Sequence, residues 1–185
     1  MKLFDSTISP SILYGSGCWT LTADRTRKLQ TNQRRMLRMI VSTRRLTATA
    51  GVDTSSPSDS SSTTSSFQLE PWIDFIQRAT HIAEDYASRY GVKDWAAVHF
   101  SRKFRLAGHM GRRTDSRWSK KILYWVPEGA SRQRGHPHKR WSDALDEFFK
   151  AAHGMEPGEW LNLCVDRDAW AALSDVFVSF CCEQQ

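Results

Sequence analysis

Between Asp53 and Ser66 the chain contains only Ser, Thr, Asp and Pro, and this stretch sets the first limit on what can fold. It has no apolar side chain to offset the backbone entropy lost on ordering, about 1–2 kcal/mol per residue. A disordered linker is therefore expected over residues 46–70, between an N-terminal segment, 1–45, and a longer C-terminal one, 71–181. On both sides of it apolar residues recur at helical spacing. Leu29, Gln33, Met36, Leu37 and Ile40 form one stripe, with Arg27, Arg34, Arg35 and Arg38 placed mostly around the other faces. A more apolar segment, Leu3 to Trp19, precedes it and reads as helical despite Pro10. After the linker, Trp72, Phe75, Ile76, Ala79, Ile82, Ala83, Tyr86 and Tyr90 make a second stripe that Gly91 ends. Asp94 is placed to cap a third helix carrying Trp95, Val98, Phe104 and Leu106, which Gly108 is expected to interrupt. Two further helices follow, one with Trp141, Leu145, Phe148 and Phe149, the other capped near Asp166 with Trp170, Leu173, Phe177 and Phe180. Trp141, Phe148 and Trp170 are expected to pack these two together. No strand alternation competes with the stripes, so the expected fold class is all-α.

Charge is distributed unevenly along this helical chain. The net charge of +6 and pI of about 9.4 favour polyanionic partners. From Arg25 to Arg45 there are eight Lys or Arg and no acid, and from Arg102 to Arg140 twelve against Asp115 and Glu128. From Trp141 onward the sign reverses, with nine acids against Lys150 and Arg167. A positive face and a negative tail are expected, the alternative being ordinary solvated helix faces. Cys18, Cys164, Cys181 and Cys182 have no zinc-ligand spacing, so neither metal nor cofactor is expected. No apolar core of a secretory signal follows Met1-Lys2, and no run of about 18 apolar residues could span a membrane. An intracellular protein, nuclear or cytoplasmic, with reduced thiols is expected.

The densest basic feature is Arg132-Gln133-Arg134-Gly135-His136-Pro137-His138-Lys139-Arg140-Trp141. Gly135 has access to backbone angles closed to other residues, and Pro137 pushes His136 toward an extended conformation. Such a segment, the loop 132–140, could hold phosphates or lie in a minor groove. Its plainer alternative is a solvated loop that caps the helix after it.

Five blocks of sequence now stand in order: Ser11-Ile12-Leu13-Tyr14-Gly15-Ser16-Gly17-Cys18-Trp19-Thr20-Leu21, Arg35-Met36-Leu37-Arg38-Met39-Ile40, Phe104-Arg105-Leu106-Ala107-Gly108-His109-Met110, Arg134-Gly135-His136-Pro137-His138-Lys139-Arg140-Trp141 and Asp166-Arg167-Asp168-Ala169-Trp170. In this order they resemble the region downstream of the polymerase palm in non-LTR (LINE-like) retrotransposon reverse transcriptases. The resemblance implies that residues 1–45 correspond to the end of a helical thumb, and the segment after the linker to the C-terminal extension that follows it. The residues expected to meet an RNA or DNA backbone are Arg34, Arg35, Arg38, Arg105, His109, Arg112, Arg113, Arg132, Arg134, Gly135, His136, Lys139 and Arg140. A palm domain would be a further partner.

The chain departs from that family in three respects. His136 stands where a second Arg is usual, the serine-rich insert separates blocks that are normally closer, and there is no palm. Polymerase chemistry needs adjacent Asp residues for two divalent metals, and the sequence has no Asp-Asp. Glu84-Asp85 and Asp143/Asp146/Glu147 lie on expected helices and read as solvated acidic faces. His109 beside Arg112 and Arg113, and His136 and His138, have no carboxylate placed to orient them for acid–base work. Ser16 in Gly15-Ser16-Gly17 falls short of a nucleophile elbow. The sequence thus points away from an enzyme and toward a nucleic-acid-binding fragment of a reverse transcriptase. A stand-alone module hooking a minor groove with Arg134-Gly135-His136-Pro137, or a decayed fragment without function, are the alternatives.

Overall fold

The computed structural model describes residues 2–48, 68–115, 118–126, 128–129 and 138–184. Most of the expected linker, and Arg132, Arg134, Gly135 and His136 of the basic loop, lie outside the described residues. A π-helical turn, Phe4–Ile8, runs into α1 (Ser9–Ile12), and a single 3-10 turn, Ser16–Cys18, follows. Then come α2 (Ala23–Val41), β1 (Thr47–Ala48), β2 (Gln68–Leu69), α3 (Trp72–Arg89) and α4 (Trp95–Arg112). The chain continues through α5 (Trp118–Leu123), α6 (Asp143–His153), α7 (Trp160–Leu163), α8 (Arg167–Ala172) and α9 (Ser174–Glu183). The class is all-α, since the strands form only a two-residue antiparallel ladder, Thr47 opposite Leu69 and Ala48 opposite Gln68. No helix among the described residues is long and apolar enough to cross a membrane. The compact units do not follow the linear order of segments: Met1–Gln33 groups with Val92–Gln185, and Arg34–Gly91 forms a second unit.

The first unit is organised around α4. Asp94 caps it, its carboxylate accepting from the Ala97 amide at 3.2 Å. The buried Gln33 pins the same end, donating through Nε2 to the Lys93 carbonyl at 2.8 Å and accepting from the Trp95 amide at 3.0 Å. Trp95, Phe100, Phe104 and Ala107 of α4 are buried. Against the last three of these pack Phe148 and Phe149 of α6, Trp160 of α7, Trp170 of α8 and Phe177 of α9. Each such side chain contributes about 1.5–3 kcal/mol by leaving water. Phe104 stacks on Trp170 with centroids 4.2 Å apart, and Trp170 in turn meets Phe149 at 5.5 Å and Trp160 at 5.9 Å. The C-terminal helices are therefore joined through α4 as much as to each other.

Gly108 does not interrupt α4, which runs unbroken to Arg112. A Cβ on Gly108 would lie 2.4 Å from Nε1 of Trp170, and one on Gly111 would lie 2.4 Å from Cβ of Cys164. The two glycines share one face and open a slot that α8 and the end of α7 fill. The helix accepts their weak propensity because the packing they permit outweighs it. Trp141, expected within the following helix, precedes α6, and its Nε1 donates to the Gly17 carbonyl at 2.7 Å.

The N-terminal residues close the other side of α4. Phe4 stacks on Trp95 at 5.7 Å with ring planes 7° apart, and Trp95 Nε1 donates to Ser9 Oγ at 2.9 Å. Gly15 turns the chain at φ +64°, a left-handed conformation that suits glycine. Beyond it the Ser16 carbonyl accepts from Nδ1 of the buried His99 at 2.8 Å. Asp146 is no solvated acid: its Oδ1 accepts from Tyr124 Oη at 2.8 Å, Trp160 Nε1 at 2.9 Å and the Gly158 amide at 3.1 Å. This ties α6, α7 and the end of α5 together.

The second unit is smaller. Leu37 of α2 and Ala79 and Ala83 of α3 are buried, and Glu70 binds the strand pair to α3. Its carboxylate takes Arg78 at 2.9 and 3.3 Å and the Leu46 amide at 2.6 Å. The Arg78 guanidinium, with the Leu46 amide, holds the Glu70 carboxyl below the usual carboxylate range.

Candidate nucleic-acid interface

In the first unit the expected contact residues divide into exposed and engaged ones. Arg105, His109 and Arg112 follow one another at i, i+4 and i+7 on α4, so they share one side of it. Arg105 and His109 are exposed. Arg113 Nη2 sits 2.9 Å from His109 Nε2. A guanidinium can only donate, so Nε2 accepts and the imidazole carries its hydrogen on Nδ1. Arg112 points inward instead and donates to the Cys164 carbonyl at 3.2 Å. Lys139 pairs with Glu147 at 3.1 Å, and the Arg140 backbone amide donates to Asp143 at 2.8 Å.

Two of the described cations between Arg102 and Arg140 do not add to the positive face expected there. Arg102 donates to the Leu13 carbonyl at 2.6 Å, which makes it a clamp on the N-terminal residues. Lys103 is only 2% exposed, its ammonium 5.3 Å from the centre of the Trp141 ring. Burial lowers the Lys103 pKa to about 8. His99, one turn earlier, is lowered to about 4 by burial and then by the neighbouring Lys103, so it is neutral at pH 7. Burial also pushes the Cys164 and Cys181 thiols up to about 12, which leaves neither as a thiolate nucleophile near neutrality. Ser16, the residue nearest to a nucleophile elbow, is buried and held by its contacts with His99 and Arg102. Among the described residues no group of three or more His, Cys, Asp or Glu is arranged to hold a metal ion.

The second unit gathers Arg34, Arg35 and Arg38 on α2. Arg34 Nε pairs with Glu84 at 3.0 Å, and Arg38 Nη1 donates to Thr80 at 3.0 Å. Arg35 makes no hydrogen bond or ion pair with any described residue and is exposed. Arg35 and Arg38 line an open groove of about 460 Å³ together with Met39, Ser42, Thr43, Trp72, Phe75, Ile76 and Ala79. Its lining contains no carboxylate. Trp72 is 61% exposed, with the Arg45 guanidinium 5.7 Å from its ring centre and the Phe75 ring 5.4 Å away. Periodicity assigns Trp72 and Phe75 to a buried stripe. Only the position of Trp72 at the first turn of α3, directly after Pro71, hints that it overhangs the end of the packed surface.

No family model matches the chain, and no solved structure matches it. Over 175 residues the chain is 27% identical to an uncharacterized transposon-derived protein of Caenorhabditis elegans. The match covers 94% of this chain and 53% of the other, so the chain spans about half the length of that relative.

Proposed function

We propose that this chain is the non-catalytic, nucleic-acid-binding part of a transposon-encoded reverse transcriptase of the non-LTR type, the part that follows the palm. Its likeness to a transposon-derived protein runs over nearly the whole chain. The observation that carries the finer assignment is spatial. Four of the five sequence blocks that resemble the family are far apart in the chain yet come together in the first unit: Gly17 accepts from Trp141, and Trp170 seats on Phe104 and Gly108. Those four blocks act as interlocking parts of one unit, while Arg105 and His109 on α4 and the half-exposed Arg113 just past its end are left for contact with a phosphate backbone. The sequence has no adjacent Asp pair to hold two catalytic metals, so the role left to this chain is grip.

Such binding is dominated by phosphates and weakens steeply with salt. The plot of log affinity against log salt should fall by roughly 0.9 per duplex phosphate neutralised. Measured by fluorescence anisotropy on a labelled RNA–DNA hybrid, Arg105→Ala and Arg113→Ala should each flatten that slope by about one unit. Absence of binding at low salt, or an affinity indifferent to salt, refutes the proposal.

A further inference from the structure

We infer that the groove between α2 and α3 of the second unit is a stacking site for single-stranded nucleic acid, with Trp72 as the base platform and Arg35 as the phosphate contact. The inference rests on the proposed nucleic-acid-binding role and adds to it the strand form and the residues that read it. Three features of the groove point the same way. Trp72 is largely exposed although it lies in the apolar stripe of α3; the Arg45 guanidinium lies 5.7 Å over its ring and adds a cation to the site, and Phe75 extends the aromatic surface beside it. Arg35 has no hydrogen-bond or ion-pair partner among the described residues at the groove wall, while its neighbours Arg34 and Arg38 engage Glu84 and Thr80. The rest of the lining is apolar or hydroxyl-bearing, with Ser42 and Thr43 able to donate to phosphate oxygens and no acid to repel them.

An aromatic face beside unpaired Arg is the combination that holds single strands: the ring stacks on any base, and the cation follows the backbone. A duplex cannot use it, because its bases are already stacked on each other and only their edges are accessible. An acidic or apolar protein segment would also be drawn to cations and apolar walls, but would gain nothing specific from a flat π-surface. RNA and DNA single strands offer the same stacking chemistry, and the 2′-hydroxyl alone separates them.

The test uses the full chain and end-labelled 12-nucleotide oligo(U), oligo(dU) and a 12-base-pair duplex, read by anisotropy. Trp72→Ala should weaken both single strands about tenfold, the fold-change expected for loss of one stacked base, and change duplex affinity less than about twofold. Trp72→Phe should restore most of the loss, and Arg35→Ala should flatten the salt dependence on single strands. Equal losses on oligo(U) and oligo(dU) assign stacking alone; a larger loss on oligo(U) than on oligo(dU) adds a sugar contact. Unchanged single-strand affinity in Trp72→Ala, or an equal loss on duplex, overturns the inference and leaves the nucleic-acid role standing; the first of these is also what a groove built for a protein segment would give. Failure of the parent to bind any of the three probes overturns both. Because Trp72 is largely exposed, its truncation should leave the far-UV circular dichroism and melting of the chain intact.

Discussion

Replacing Gly108 by Ala sets two physical effects against each other at one site. In an open helix interior the change stabilises by up to about 1 kcal/mol, because Gly has the poorer helix propensity. In α4 the new Cβ would fall 2.4 Å from Nε1 and 2.6 Å from Cδ1 of Trp170. The indole cannot swing aside: it stacks on Phe104 at 4.2 Å and donates to the Phe104 carbonyl at 3.2 Å. Overpacking of this kind costs about 1–3 kcal/mol, and losing the indole hydrogen bond adds about 1 kcal/mol. After subtraction of the propensity gain, Gly108→Ala should destabilise by about 1–3 kcal/mol. That corresponds to a fall in Tm of roughly 3–5 °C per kcal/mol for a unit of this size. Urea titration followed by tryptophan fluorescence and circular dichroism should show a lower midpoint with an unchanged slope. Trp170→Phe vacates the space the Cβ needs, so the double variant should lose less than the sum of the single losses. A Gly108→Ala protein as stable as the parent, or more so, would show that α8 is not seated on α4.

Two further expectations concern the buried bases of α4. At pH 7 Lys103 is charged in both the folded and the unfolded chain, and a folded pKa near 8 against 10.5 corresponds to a cost of about 3 kcal/mol, partly offset by the Trp141 ring. Lys103→Met should therefore stabilise by about 1–2 kcal/mol at pH 7, an advantage that shrinks between pH 8 and 10.5 as the folded wild type sheds its proton. A destabilised Lys103→Met protein in urea titrations at these pH values would refute this. His99 is lowered to about 4 from 6.5, so the unfolded state binds the extra proton and the stability His99 provides is present above pH 6.5 and lost as pH falls toward 4. The difference in unfolding free energy between wild type and His99→Gln should shift by up to about 3 kcal/mol across that window, and a constant difference would refute the burial of a neutral imidazole.

The helices were legible where a stripe was long or a side-chain cap was present. Asp94 and Asp166 cap α4 and α8 where side-chain chemistry placed them, although the single helix expected from Asp166 through Phe180 is two, α8 and α9, parted at Leu173; the stripe from Trp72 corresponds to α3. The short α5 and α7 were not legible, because four to six residues are too few to display a helical period. Gly108 misled because a glycine in a helix reads as a break until the side chain that needs its space is known. Lys103 misled for a related reason: a cation among cations reads as surface, and only the tertiary placement of Trp141 and α9 encloses it. The candidate site was legible in part. Arg35 and Arg105 are exposed cations as composition suggests, but Trp72 carries the same apolar signal as the buried Ala79 and Ala83 of its stripe and is told apart only by where α3 runs out of partners.

The way α4 is shared has a consequence for the order of synthesis. Ser9, Leu13, Ser16 and Gly17 leave the ribosome well before their partners, Trp95, His99, Arg102 and Trp141, with separations of 83 to 124 residues. Until those partners emerge, Phe4 and Leu13 have nothing in the first unit to cover them, whereas the pairing of α2 with α3 within Arg34–Gly91 is already available. Closing such distant contacts is slow, and an uncovered apolar segment is prone to aggregate while it waits. The nascent chain should therefore pass through a long interval with its second unit formed and its first incomplete, a state in which a chaperone has the uncovered apolar segment around Phe4 and Leu13 to hold.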